Sequence, residues 1–152
     1  MKKIFLTFSV LAINFLIFGE PILANSSCEK AIDSSEIELG SAAFSVNIAS
    51  LEDKREGFPT DRPLSVTFLM QNKSSPFYSR SSDILNSPKF KLAIAKRIIE
   101  NCNNVSLVQF GMVYTGTVFD YGLINGRVQE FECITAAPRS NIIPQWGEYK
   151  CL

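Results

Sequence analysis

The clearest structural signal in the chain is SPKFKLAIAKRIIENCNN, residues 87–104. Ser87-Pro88 predicts a helix start, because serine can accept an amide hydrogen bond at the N-cap and proline fits the first helical position. Asn103-Asn104 offers a stop. Apolar residues recur at four-residue spacing on one face: Phe90, Ile94, Ile98 and Cys102. Charged residues fill most of the remaining, outer positions: Lys89, Lys91, Lys96, Arg97 and Glu100. The pattern predicts an amphipathic helix of about 15 residues.

Strand patterns lie on both sides of this helix. Residues 64–70 alternate in the way that is typical of a half-buried strand. Three more strand signals follow the helix, at residues 105–114, 117–123 and 127–134, with turns between them. The order strand, helix, strand meander predicts an α+β fold, with one main helix packed on an antiparallel sheet.

The turn at Asn125-Gly126 allows two strand registers. A two-residue turn would place Glu130 opposite Tyr121 and bring charge into an apolar face. A three-residue loop, residues 124–126, places Glu130 opposite Asp120 and keeps the apolar side chains together. Because a slip of one residue exchanges the two faces, burial favours the three-residue loop.

Residues 25–63 carry weaker signals than residues 64–152. The period-two pattern of residues 42–49 predicts a strand, and the charged segment after it predicts a loop. Residues 71–82 are rich in serine and predict the longest surface loop, which makes them the loop best suited to a functional role. A last short strand is predicted at residues 145–151.

The first 24 residues predict an export signal. Two lysines precede an apolar run at residues 4–18, and Ala24 offers a small residue for cleavage before a polar segment. The run of 15 residues is shorter than the roughly 20 that a membrane span needs. We therefore expect cleavage after Ala24, no stable membrane span afterwards, and a periplasmic or secreted single domain at residues 25–152. An uncleaved anchor and a lipid on Cys28 are the alternatives.

Composition argues against several kinds of partner and chemistry. The mature part carries 13 basic and 14 acidic residues, so no charge excess favours nucleic acid, an anionic membrane surface or a polyionic ligand. The chain has no histidine, which removes the Ser-His and Cys-His nucleophile pairs. It also lacks a glycine-rich phosphate loop and a nucleophile elbow. We expect no catalytic residues, no cofactor and no metal.

All four cysteines follow the predicted signal: Cys28, Cys102, Cys133 and Cys151. An even count in an exported chain predicts two disulfides rather than metal or redox chemistry. In the predicted meander Cys102 and Cys133 lie at opposite ends of the sheet, roughly 20 Å apart, whereas a disulfide needs Cα atoms within about 4.4–6.8 Å. A final strand would return Cys151 beside Cys102. This topology predicts the pairs Cys102–Cys151 and, by exclusion, Cys28–Cys133.

Three groups of side chains are candidates for function. The chosen register predicts an acidic surface site for a cation or for acid–base chemistry, formed by Asp120, Glu130 and Glu132. Three aromatic residues outside the core pattern are a candidate contact for carbohydrate or protein: Phe77, Tyr78 and Trp146. The basic outer face of the helix is a weaker signal for an anionic partner. In each case an ordinary structural role, such as a solvated face or a packed loop, is the favoured interpretation, and the functional role is the alternative.

Residues 87–152 resemble a group of small uncharacterised exported proteins of cyanobacteria. The matching features are Ser87-Pro88 with its helix, Asn101-Cys102, Phe110-Gly111, Tyr121-Gly122-Leu123, Phe131-Glu132-Cys133, Trp146-Gly147 and Cys151-Leu152. The resemblance implies export and a disulfide role for the cysteines, and it implies no activity.

These observations together predict an exported binding or structural domain that contacts an extracytoplasmic ligand or protein. The alternative is a carboxylate-based hydrolase acting on cell-wall or extracellular carbohydrate. That chemistry needs two carboxyl groups about 5 to 9 Å apart in a cleft.

Overall fold

The structure is a computed structural model that describes residues 26–53, 55–135 and 143–150. The predicted export signal, its cleavage site at Ala24, and Cys151 lie outside these ranges. The helices are α1 (Ser26–Leu39), α2 (Tyr78–Leu85) and α3 (Pro88–Asn101), with a short 3₁₀ turn at Gly40–Ala42. The strands are β1 (Ala43–Ser50), β2 (Leu64–Met70), β3 (Val105–Met112), β4 (Val118–Ile124), β5 (Arg127–Glu130), β6 (Glu132–Ile134) and β7 (Glu148–Lys150).

The strands β1 to β5 form one sheet in chain order. All neighbours are antiparallel except β2 and β3, which are parallel, with Phe68 opposite Phe110. A parallel pair needs a crossover connection, which α2 and α3 supply. The prediction of an α+β fold is therefore confirmed, with one parallel pair in a mostly antiparallel sheet. In the parts of the chain given above, no helix combines the length and the apolar character of a membrane span.

Helix α3 packs on the sheet as its apolar spacing predicts. Ile94 and Ile98 are fully buried, and Ser87 stands at the N-cap in an extended conformation, although its side chain makes no capping hydrogen bond. The helix ends at Asn101, and its C-cap residue Cys102 is extended. The prediction that Lys91 lies on the outer face is wrong, because Lys91 is only 1% exposed. Its position continues the buried stripe one turn towards the helix start.

Helix α1 was not predicted, and it changes the disulfide topology. Its buried residues follow helical spacing and face α3: Cys28, Ala31, Ile32, Ser35 and Leu39. Cys28 and Cys102 form a disulfide with their Cα atoms 4.6 Å apart. The predicted pairs Cys102–Cys151 and Cys28–Cys133 are therefore wrong, because α1 brings Cys28 to the end of α3. Cys133 is disulfide-bonded as well.

The serine-rich segment is only partly a loop. Residues 71–77 connect β2 to α2, but helix α2 begins at Tyr78 and buries Ser81, Ile84 and Leu85. The Ser81 hydroxyl donates a hydrogen bond to the Ala42 carbonyl over 3.1 Å. The predicted long functional loop is thus wrong for its second half, which packs against the core.

The β4–β5 hairpin has the register that sequence reasoning rejected. Tyr121 lies opposite Glu130, and Asn125 and Gly126 have positive φ angles of 49° and 76°. Two central residues with positive φ are typical of a type I′ turn, whose twist suits a two-residue hairpin. The expected charge conflict does not arise, because the Tyr121 hydroxyl donates to Glu130 Oε2 over 2.8 Å.

The two faces of the sheet are covered differently. Helices α1, α2 and α3 cover one face, over a core that includes Val66, Phe68 and Phe110. A smaller cluster of Leu107, Phe131 and Trp146 covers part of the other face. The short parallel pair β6–β7 lies beside this cluster and carries Glu132 away from β4.

Candidate functional site

A cleft of about 590 Å³ opens between helix α3 and the β4–β5 hairpin. Helix α3 contributes Lys96, Ile99 and Glu100, which share one face because they are three and four residues apart. The hairpin contributes the remaining strand and turn residues: Leu123, Gly126, Arg127, Val128 and Gln129. The volume lies within the roughly 300–1,000 Å³ of small-molecule sites.

The floor of the cleft is apolar and belongs to the main core. Ile99 and Val128 are 1% and 8% exposed, and Leu123 packs partly against the same cluster. The polar groups stand around this floor. The arrangement is therefore an apolar base with charged walls, which suits a small ligand that has both an apolar and a charged part.

Arg62 is the positioned cation of the cleft. Its Nη1 donates to the carbonyls of Ile99 over 2.9 Å and of Val105 over 3.3 Å. These carbonyls lie at the end of α3 and the start of β3, so the side chain is held by backbone. Within the described parts of the chain no other hydrogen bond uses this guanidinium, which leaves Nε and Nη2 as donors for a ligand.

Two further cations line the cleft. Lys96 and Arg127 are exposed, and neither forms an ion pair with any residue in the described ranges. Glu100 is the one carboxylate among the lining residues. The balance of three cations to one carboxylate gives the cleft a positive potential, although the chain as a whole carries no net charge.

The predicted acidic residues do not share one surface. Because Tyr121 lies opposite Glu130, Asp120 points to the opposite face of the sheet. There Gln109 Nε2 donates to Asp120 Oδ1 over 2.9 Å. Burial raises the pKa of Asp120, and this hydrogen bond and the Arg55 charge oppose that effect. Glu132 belongs to the separate strand β6.

The predicted aromatic residues do not form one exposed patch either. Trp146 is buried, with its ring centroid 4.9 Å from those of Phe58 and Phe131. Its Nε1 donates to the Leu123 carbonyl over 2.9 Å. Phe77 is exposed just before α2, and Tyr78 is half-buried. Trp146 is therefore an aromatic residue packed against the sheet, which is the structural role, and it is not an exposed contact surface.

Arg55 lies against the Trp146 cluster. Its guanidinium carbon is 5.2 Å from the centre of the Trp146 ring and 5.6 Å from that of Phe131. It also forms an ion pair with Asp53, and the hydrogen bond from Arg55 lowers the pKa of Asp53. Arg55 thus holds its loop against the sheet, and its guanidinium group is already engaged by Asp53 and the two aromatic rings.

Lys91 is a buried charged residue that sequence reasoning placed outside. Its Nζ donates to the Leu85 carbonyl over 2.6 Å and lies 3.3 Å from the centre of the Phe119 ring. Burial lowers the pKa of Lys91, and the charge of Glu130 opposes that effect. Burial also raises the pKa of Tyr121, with the Glu130 hydrogen bond acting in the same direction. Since Lys91 is almost fully buried, its amine is not available to a substrate.

The cleft residues Arg62 and Arg127 were not singled out from the sequence. Lys96 and Glu100 were recognised only as parts of a charged helix face. The basic character of that face is the sequence signal that could have led to the cleft. Among the described residues no group of three metal-ligating side chains comes together. No protein-family profile, curated protein or solved structure matches this chain.

Proposed function

We propose that the protein is an extracytoplasmic binding domain that takes a small anionic ligand in the cleft between α3 and the β4–β5 hairpin. The observation that supports this most is the presence of Arg62, Lys96 and Arg127 around one 590 Å³ cleft. A carboxylate or phosphate is the matching ligand group, because guanidinium donors fit planar or tetrahedral oxyanions.

The ligand is small and partly apolar in this proposal. Arg62 is already held by two backbone carbonyls, so little of its conformational entropy is lost when an anion binds. Lys96 and Arg127 supply charge from the two walls. The apolar floor of Ile99 and Val128 suits a short hydrocarbon part beside the anionic group.

The extracytoplasmic location is part of the same proposal. It rests on the export signal predicted at residues 1–24 and on the resemblance to exported proteins of cyanobacteria. The Cys28–Cys102 disulfide is compatible with it, since structural disulfides persist mainly in oxidising compartments.

The hydrolase alternative receives less support from the geometry. A glycoside hydrolase of the usual kind needs two carboxyl groups across its cleft, whereas Glu100 is the one carboxylate that lines this cleft. Asp120 and Glu130, which were the candidate pair, point to opposite faces of the sheet. We therefore propose binding rather than catalysis.

Titration calorimetry tests this proposal. The probes are inorganic phosphate and citrate at constant ionic strength, with glucose as the uncharged control. We expect saturable binding of at least one anion and none of glucose. Lys96→Gln and Arg127→Gln should each weaken that binding at least about tenfold, since a charge-assisted hydrogen bond contributes about 1.5–3 kcal/mol.

Lys89→Gln is the matched control. It removes the same charge from the same helix, but Lys89 does not line the cleft. If this variant weakens binding as much as Lys96→Gln does, the anion responds to overall charge and the cleft is not the site. Failure of both anions to bind would also contradict the proposal.

A further inference from the structure

Strand β1 forms an open edge of the main sheet. Its partner is β2, and no described residue pairs with its other side. Its eight residues, AFSVNIAS, include no charged residue and no proline. Phe44 and Ile48 are 56% and 39% exposed. The opposite edge, β5, has only four residues and carries Arg127 and Glu130, which is the usual protection against edge pairing.

The backbone of β1 presents its free groups in a regular order. The Leu51 amide donates to the Pro63 carbonyl over 2.6 Å, so Leu51 turns its backbone groups towards β2. Alternate residues do the same in an antiparallel pair. Between the bulge at residues 43–45 and the end of the strand, Val46, Ile48 and Ser50 therefore turn their N–H and C=O groups outward.

These outward groups are complementary to a second copy of the same strand. If a two-fold axis passes through Asn47, Val46 lies opposite Ile48 of the second copy, and both residues have outward N–H and C=O groups. Their side chains also share one sheet face, because in β2 they pair with the buried residues Phe68 and Val66. The cross-strand contacts are thus apolar, and no like charges meet.

We infer that β1 pairs antiparallel with β1 of a second copy, which joins two five-stranded sheets into one continuous sheet across a two-fold axis. This contact is isologous, since one surface serves both copies. A single strand pair buries less than the roughly 1,600 Å² of a standard interface. The dimer is therefore weak and depends on protein concentration. This inference is independent of the proposed anion binding.

Sedimentation equilibrium over a concentration series tests the dimer directly. We expect a reversible monomer–dimer equilibrium for the purified chain with its disulfides intact. Asn47→Lys should weaken it about fivefold, because two ammonium groups would face each other at the axis. The Asn47 side chain is exposed and its backbone groups face β2, so we expect the substitution to leave the folded monomer unchanged. Circular dichroism checks this.

A charge-exchange mixture tests the register. The dimer should recover when Asn47→Lys is mixed with Asn47→Asp, because unlike charges then face each other across the axis. Ser79→Lys on helix α2 is the control and should have no effect. A chain that stays monomeric at every concentration overturns the inference and leaves the edge to a strand of another protein. A dimer that is indifferent to Asn47→Lys, or a mixture without recovery, overturns the proposed register.

Discussion

Lys91 shows how a charged side chain can be part of an apolar core. Its ammonium group has a backbone acceptor at the end of α2, the Leu85 carbonyl. The faces of the Phe119 and Tyr121 rings lie 3.3 and 5.8 Å from its Nζ, and the charge of Glu130 also favours the ammonium form. Ring faces attract a cation through their quadrupole, and the C-terminal end of a helix favours positive charge. Burial of this charge is therefore compensated by several weak contacts rather than by one ion pair.

Asp120 is a half-buried ionisable residue, and it leads to a prediction about pH. Burial raises its pKa in the folded protein, so the folded state takes up the proton at a higher pH than the unfolded chain does. The stabilisation by protonation is present at low pH and is lost as pH rises through the folded pKa. We expect the Asp120→Asn variant to be more stable than the parent near pH 7, and the difference to shrink towards about pH 3.

Urea midpoints of both proteins across this range check the prediction. Asn can still accept the hydrogen bond from Gln109, so the substitution changes charge and keeps the contact. Asp53, whose pKa is lowered by its hydrogen bond from Arg55, changes stability with pH in the opposite direction. It does so in both proteins and cancels in the difference. A constant difference between the two midpoints would rule out Asp120 as the titrating group.

At the scale of the elements, the hairpin register leads to a prediction about side-chain coupling. Tyr121 and Glu130 are cross-strand neighbours joined by a hydrogen bond of 2.8 Å. A double-mutant cycle with Tyr121→Phe and Glu130→Ala should give a coupling of about 0.5–1.5 kcal/mol in the free energy of unfolding.

The control is the same cycle on Asp120→Ala and Glu130→Ala. These two residues would face each other in the three-residue register, but they lie on opposite faces in the two-residue one. We expect a coupling near zero for them. Strong coupling in this second cycle, with none in the first, would reverse the assignment of the hairpin.

At the scale of the whole molecule, the Cys28–Cys102 disulfide joins α1 to the end of α3 across 74 residues of sequence. Arg97 adds an ion pair with Glu38 at 2.7 Å farther along the same two helices. In the chain-entropy description, a link across that separation stabilises by about 4 kcal/mol. The joint replacement Cys28→Ser and Cys102→Ser should lower the free energy of unfolding by about this amount.

Denaturant unfolding measures this loss, with Ser34→Ala on the exposed side of α1 as the control for changes in the helix itself. Peptide mapping under non-reducing conditions identifies the bond directly. A peptide that links Cys102 to Cys151 would show that α1 is not attached to α3 in this way.

Local patterns were sufficient for most individual elements. Helix α3 and strand β2 were predicted with bounds that differ by at most a few residues from those observed, because hydrophobic spacing and the Ser87-Pro88 start are properties of neighbouring residues. Helix α1 was missed, since Ser35 occupies its buried stripe and interrupts the apolar spacing. The hydroxyl of Ser35 donates to the Ala31 carbonyl within the helix, which makes its burial acceptable.

Long-range packing decided the features that link distant parts of the chain. The hairpin register depended on the Tyr121–Glu130 contact, and the disulfide depended on where α1 packs, which no spacing rule contains. The cleft also depends on long-range packing. Arg62, Lys96 and Arg127 follow one another at intervals of more than thirty residues along the chain, and they meet only where α3 lies against the hairpin. The sequence by itself determined the α+β class and the main helix, because periodicity is local. The tertiary structure determined the candidate site, because a cleft exists only between elements that have already packed.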